Sequence, residues 1–258
     1  MDNQKLIPLA VIIAGSIITV SMLYSRDLSL NFFQDEEPNE AEVEDVSEPR
    51  PEEPMLGDPE APVVFIEYSD TECPFSLEFK KERDKIISSY GESGEIAWIY
   101  RTVSSINETS MEKALAIECM AEEAPDHRYW RFLENVQTME LPDEERSEEN
   151  SSIQSLTREA EKENISKKEI TECIEEATYA DRIKRNTQEI LAVGAEATPF
   201  TIIFAPQKIS GSQEAEINST LEEIPVDKFT IPPDNNRIYI KGLVPSDLII
   251  ELIEILVP

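Results

Sequence analysis

Apolar and β-branched residues bunch at Val63 to Tyr68 (VVFIEY), and four turn-forming positions, Ser69 to Glu72, separate them from a stretch with a different period. From Leu77 to Tyr90 the apolar positions recur at helical spacing, so strand gives way to helix and Cys73 falls at the helix start. Pro74 suits a first helical turn, where its missing N–H costs nothing. Glu95 to Arg101 (EIAWIYR) predicts a second strand and hence a β-α-β unit. Three helical stripes follow: Met111, Leu115 and Cys119; Tyr129, Leu133 and Val136; Ile153, Leu156 and Ala160. Ser166 with Glu169 makes a capping box ahead of Ile170, Cys173 and Ile174, and a further helix runs from about Tyr179 to Val193, stopped by Gly194. Strand pattern returns at Phe200 to Ala205 (FTIIFA) and at Arg237 to Lys241 (RIYIK). The polar, Pro-containing stretch between them reads as an irregular insertion, and Pro245 to Leu256 reads as a closing amphipathic helix. The predicted order is β-α-β, a helical block, then β-β-α, an α/β class.

Two stretches precede this domain. Leu6 to Tyr24 is an uncharged apolar run, near the roughly 20 residues that a helix needs to span a bilayer. A cleaved signal peptide is the competing reading, but the small-residue cleavage pattern is poor. Lys5 and the amino terminus favour a cytoplasmic start with everything after Arg26 outside, in the cell envelope. The next stretch (QDEEPNEAEVEDVSEPRPEEP) has almost nothing to bury. Residues 1–27 are therefore expected to form a membrane anchor, 28–60 a disordered acidic tether, and 61–258 the folded domain. Within the domain the helical insertion covers about 105–193 and the irregular insert about 206–236.

Charge and cysteine count exclude several functions. The chain carries 23 Lys plus Arg against 54 Asp plus Glu, a formal charge of -31, which repels nucleic acid. Its three cysteines are never within four residues of each other, which argues against a zinc site, and nothing in the sequence calls for another cofactor.

FIEYSDTECPFS at Phe65 to Ser76, ALAIECMAEE at Ala114 to Glu123 and GAEATPFTIIF at Gly194 to Phe204 occur in an order that resembles the thioredoxin fold. More narrowly, they resemble the DsbA-like thiol:disulfide oxidoreductases, whose thioredoxin domain is split by a helical insertion. The resemblance implies that Cys73 is the nucleophile and that Pro199 is a cis proline beside it. It further implies that Thr198 and Pro199 form a platform for an extended substrate, with Pro74 and Phe75 as further substrate contacts. The family's active site reads Cys-Pro-x-Cys, and this chain has Ser76 at the fourth position. A monothiol can start an exchange, but it can neither form an internal disulfide nor expel a trapped substrate by itself. Ser76 can still donate a hydrogen bond to Cys73.

The residues themselves offer arguments in both directions. A helix N-terminus presents unpaired N–H groups that favour negative charge and activate a cysteine. Glu67, Asp70 and Glu72 oppose this by bringing like charge close to the sulfur. Cys119 and Cys173 both fall on apolar helical faces, where they can be two inert core thiols or, outside the cytoplasm, a structural disulfide. The expected function is a membrane-anchored monothiol exchange protein acting on exported proteins or small thiols, with a membrane redox partner. The alternative is a thioredoxin-fold binding or scaffold protein of the envelope that has lost its chemistry. A peroxide-reducing thiol ranks below both, because no arginine-supported pocket accompanies Cys73.

Overall fold

The computed structural model describes residues 45–90, 93–139, 152–222, 225, 228–234 and 236–257. Strand β2 (Val63–Ser69) and strand β3 (Ile96–Thr102) pair in parallel, from Val63 opposite Ile96 to Ser69 opposite Thr102. Helix α1 (Pro74–Tyr90) connects them, starting at Pro74 rather than Leu77. Strand β4 (Phe200–Phe204) runs antiparallel to β2, and β6 (Arg237–Lys241) antiparallel to β4. Short strands close the edges: β1 (Met55–Gly57) on β3 and β5 (Phe229–Thr230) on β6. The sheet order is β1-β3-β2-β4-β6-β5. This is an α/β thioredoxin-like arrangement with a helical insertion.

Alternation along the strands builds two different cores. One face carries Phe65, Trp98, Ile203, Ile238 and Ile240 and is covered by Phe79 and Ile86 of α1 and by α8 (Ser246–Leu256). Phe65 and Trp98 stack there with ring centroids 4.4 Å apart. Full burial of side chains of this size stabilises by about 1.5–3 kcal/mol each. The other face carries Ile66, Tyr68, Ile99, Phe200, Ile202 and Tyr239 and packs against Ile190.

The insertion comprises α2 (Glu108–Glu123), α3 (Asp126–Thr138), α4 (Ser152–Lys162), α5 (Lys167–Glu175) and α6 (Ala180–Ala192). Asn107 caps α2 by accepting from Ser110 N at 2.9 Å. Ser166 caps α5 through Glu169 N at 3.5 Å. Gly194, with φ +71, ends the turn after α6 and leads the chain towards β4.

Three expectations need correction. The later part of the predicted tether is not a free linker, because Asp45 to Gly57 is strapped onto the second sheet face. Val46 is buried, Asp45 bonds Tyr239 Oη and Arg237, and Ser47 donates to Glu189. Arg101, almost fully buried, donates to Glu53 and to the Ser47 and Glu48 carbonyls. Two arginines inside strands need partners, and the acidic segment supplies them. Gly57 then ends β1 at φ +101, where a Cβ would sit 2.4 Å from Ile96 O. The insert between β4 and β6 is not irregular throughout, since α7 (Gly211–Thr220) forms there under a Ser210–Gln213 capping box and anchors through Ile217. The folded body begins before residue 61 for the first of these reasons. The predicted anchor, Leu6 to Tyr24, and the start of the tether lie outside the described residues. Among the described residues no helix is long and apolar enough to cross a membrane.

Candidate active site

Strand β2 ends where Ser69 O accepts from Val103 N at 3.0 Å and from Tyr100 Oη at 3.3 Å. The chain turns at once, with Cys73 N donating to Asp70 O at 3.0 Å. Cys73 O then accepts the first bond of α1, from Leu77 N at 3.1 Å. Cys73 therefore stands just ahead of the first helical turn, where backbone donors point towards its end of the helix. Its Sγ lies 3.3 Å from Thr198 O, and Cys73 is only 6% exposed. Thr198–Pro199 is a cis peptide, and Gly242 N donates to Pro199 O at 2.8 Å, fixing the loop to the end of β6.

The expected site residues Cys73, Pro74, Phe75, Ser76, Thr198 and Pro199 are thus brought together. Pro74 and Phe75 face outward, and Phe75 is 64% exposed. Ser76 points inward, almost fully buried, and its Oγ has no hydrogen-bond partner. Cys119 and Cys173 do not join this group. They form a disulfide between α2 and α5, with Cα atoms 6.2 Å apart. Cys73 is the free thiol among the described cysteines.

The acids that sequence reasoning set against Cys73 all have partners of their own. Glu67, fully buried, accepts from Arg83 Nη1 at 3.1 Å and from Trp98 Nε1 at 3.0 Å. Asp70 accepts from Glu72 N, Ser105 N and Ser110 Oγ at 2.8–2.9 Å. Glu72 pairs with Lys113 Nζ at 2.6 Å. Glu67 and Glu72 are thus each matched by a cation, and Asp70 is held by backbone and hydroxyl donors.

Sequence reasoning missed Arg83, Gln137 and Lys113. Arg83 donates to Glu67 and to Gln137 Oε1 at 3.1 Å while lying over the Trp130 ring at 5.6 Å. A signal for it existed. Phe79, Arg83 and Ile86 share one helical stripe, and a cation inside an apolar stripe requires a buried partner. On the opposite sheet face Tyr68 bonds both Glu189 and Arg101, and burial holds its phenol well above the usual range.

The thioredoxin family model matches residues 50–223, which is more than half of the chain and includes Cys73, Ser76 and Pro199. The chain belongs to the thioredoxin family. Within it, disulfide bond formation protein D of Bacillus subtilis is 24% identical over 174 residues, 66% of this chain and 76% of that protein. The oxidised form of BdbD from the same organism superposes with a TM-score of 0.57 at 22% identity, covering 79% of this chain and 91% of that one. Alpha-DsbA1 of Wolbachia pipientis gives a TM-score of 0.57 at 22% identity, covering 81% and 92%. In this thioredoxin-family chain, Cys73 just ahead of α1 and the cis proline after Thr198 meet where the neighbouring strands β2 and β4 end and begin.

Proposed function

We propose that the chain is a membrane-anchored, extracytoplasmic thiol:disulfide exchange protein that works through the single thiol of Cys73. Its substrates are exported proteins or small thiols. The observation that carries this reading is the free Cys73 Sγ, 3.3 Å from Thr198 O, at the head of α1 and beside a cis proline. The likeness to a protein named for disulfide bond formation supports the chemistry.

In the proposed step, Cys73 loses its proton to solvent and attacks one sulfur of a substrate disulfide. A bond forms between Cys73 and that sulfur, the old S–S bond breaks, and the displaced sulfur leaves as a thiolate that takes a proton from solvent. With its S–H gone, Cys73 no longer donates to Thr198 O, which is then free for a substrate N–H. The exposed Phe75 offers an apolar contact beside it. A second thiol then attacks the substrate-side sulfur, releases Cys73 and leaves a new disulfide. Ser76 supplies no sulfur for resolution, so the number of disulfides is conserved and the product is a rearrangement. A membrane redox partner is needed only where net oxidation is required.

One observation favours a binding role without chemistry: Cys73 is only 6% exposed. A single experiment separates the two readings. The full chain, in neutral detergent and with the Cys119–Cys173 disulfide left intact, is treated with glutathione disulfide and followed by intact-mass and peptide mass spectrometry. One adduct on Cys73 is expected. A folded protein without that adduct would overturn the exchange reading. The apolar Leu6 to Tyr24 supports the anchor, and release of the chain from membranes by alkaline extraction would count against it.

A further inference from the structure

The turn ahead of Cys73 is held by an element that the exchange step does not use, the head of α2. Two of its residues, Ser110 and Lys113, stand three apart and so share one helical face. Ser110 Oγ donates to Asp70 at 2.8 Å, and Lys113 Nζ pairs with Glu72 at 2.6 Å. Asp70 O in turn accepts from Cys73 N at 3.0 Å, and Glu72 directly precedes Cys73 in the chain. A short contact path therefore runs from α2 to the backbone that carries the thiol.

Lys113 is costly in that place. Its side chain is 3% exposed, and its ammonium meets one carboxylate, Glu72, and one carbonyl, Met139 O, each at 2.6 Å. A buried ion pair is a poor device for stability alone, because desolvation consumes most of the attraction and apolar residues of the same size serve as well. Apolar residues cannot set charge. Glu72, with its side chain 26% exposed, puts a carboxylate one residue from a sulfur that must become negative to react, and like charge opposes that step. Lys113 is the cation that meets it. The other charges about the head of α1 are engaged elsewhere: Glu67 of β2 with Arg83, Lys80 with Asp84 and Lys81 with Glu78. Asp70 has its backbone and hydroxyl donors, the facing loop brings the Thr198 carbonyl and the exposed Glu196, and Lys241 at the end of β6 lies by Gly194.

From this path we infer that Lys113 is a positioning residue for exchange: acting through Glu72, it cancels a charge that would otherwise hold Cys73 in its protonated, unreactive form. The inference rests on the exchange reading above for the reaction it serves, and adds the residue that regulates the nucleophile. Charge balance and simple support of the turn differ in the sign of two variants. Lys113→Met and Glu72→Gln break the same contact, so loss of support changes Cys73 reactivity in one direction for both. Cancelled charge predicts opposite directions, since the first variant leaves an acid beside the sulfur and the second leaves a cation.

The full chain, in neutral detergent and with the Cys119–Cys173 disulfide intact, is alkylated with iodoacetamide, an uncharged reagent. Rates are compared at about pH 6.5 and about pH 9.5, below and above the ordinary thiol value. At the lower pH, Lys113→Met should slow the reaction about three- to tenfold and Glu72→Gln should speed it. Lys113→Met/Glu72→Gln should return close to the wild-type rate, as should Lys113→Arg, which keeps the charge. At the higher pH, where ionisation no longer limits the rate, the differences should shrink to within about twofold. Lys168→Gln, an exposed change on α5 with the same effect on net charge, should leave both rates in place. Single variants that move together, a ratio that persists at the higher pH, or an equal effect of Lys168→Gln overturns the role given to Lys113. Where Lys113→Met does not fold, Glu72→Gln decides alone, and a slower or unchanged rate at the lower pH overturns it. Failure of the exchange reading shows separately, as a Cys73 that iodoacetamide alkylates but glutathione disulfide does not modify. A folded chain whose Cys73 takes neither reagent overturns both.

Discussion

Cys73 and Cys119 are both buried cysteines of one domain, yet they sit at opposite kinds of place. Cys73 stands before the first turn of α1, where the backbone N–H groups have no helical acceptor and the sulfur faces a loop carbonyl. Cys119 lies inside α2, where every backbone group is engaged and the side chain points into the insertion to meet Cys173. The first location leaves the sulfur free. The second gives it a fixed partner within the chain. Chemistry follows from where the helix places the sulfur, more than from how deeply it is buried, since exposure is 6% for one and 1% for the other.

The largest expected effect separates the two kinds of sulfur outright. Cys73→Ala should abolish glutathione adduct formation under non-reducing conditions, and an adduct on Cys119 or Cys173 instead would break the contrast. The paired change Cys119→Ala/Cys173→Ala should leave Cys73 reactive but lower stability by about 2–4 kcal/mol, as expected for a bridge closing a loop of this size. Urea unfolding measures that loss, and an unchanged midpoint would deny the bridge a structural role. Smaller in energy but sharper in chemistry is Ser76→Cys. Ser76 Oγ has no partner to lose, so stability should change by less than about 1 kcal/mol. The site should then close its own disulfide and oxidise a reduced peptide, and equal oxidation by the wild type alone would count against the monothiol reading.

The smallest effect concerns the footing of α1. Glu82 accepts from Ser246 N at the head of α8 at 2.8 Å and pairs with Lys85. The Lys85 hydrogen bond, with that of Ser246, draws its carboxyl down from 4.5 to about 2. A depressed folded-state value means stability that is present above 4.5 and lost as pH falls towards 2. Because the pair faces solvent, Glu82→Gln should cost less than about 1 kcal/mol at neutral pH. Acid titration of unfolding should show the two proteins converging across that interval.

Much of the candidate site was legible because it depends on local signals. The strand period, the turn at Ser69 to Glu72, Pro74 and Thr198-Pro199 each say something about their own neighbourhood. The strap was not legible, because Asp45 to Pro54 has the composition of a linker and is held by residues far away in sequence. Only the arginines in IAWIYRT and RIYIK hinted at it, as charges on strands otherwise fit for burial. Helix α7 escaped for a related reason. Its cap, Ser210 with Gln213, is readable, but only Ile217 is buried along its length, so no apolar stripe announced it. The buried Glu67–Arg83–Gln137 chain joins three elements, and no single segment carries its pattern.

The strap also decides where this protein can be cut. Composition invites a soluble version starting near Pro62, just before β2. Such a cut would remove β1 and leave the N–H and C=O groups of β3 between Ala97 and Ile99 without their neighbour. It would also take Glu53 from Arg101 and Asp45 from Arg237, leaving Glu189 and Asp234 as the acids paired with them. An open, apolar strand edge is a recipe for edge-to-edge aggregation. A truncation that keeps everything from Asp45 onward retains the edge and its counter-charges, and is the one to make first.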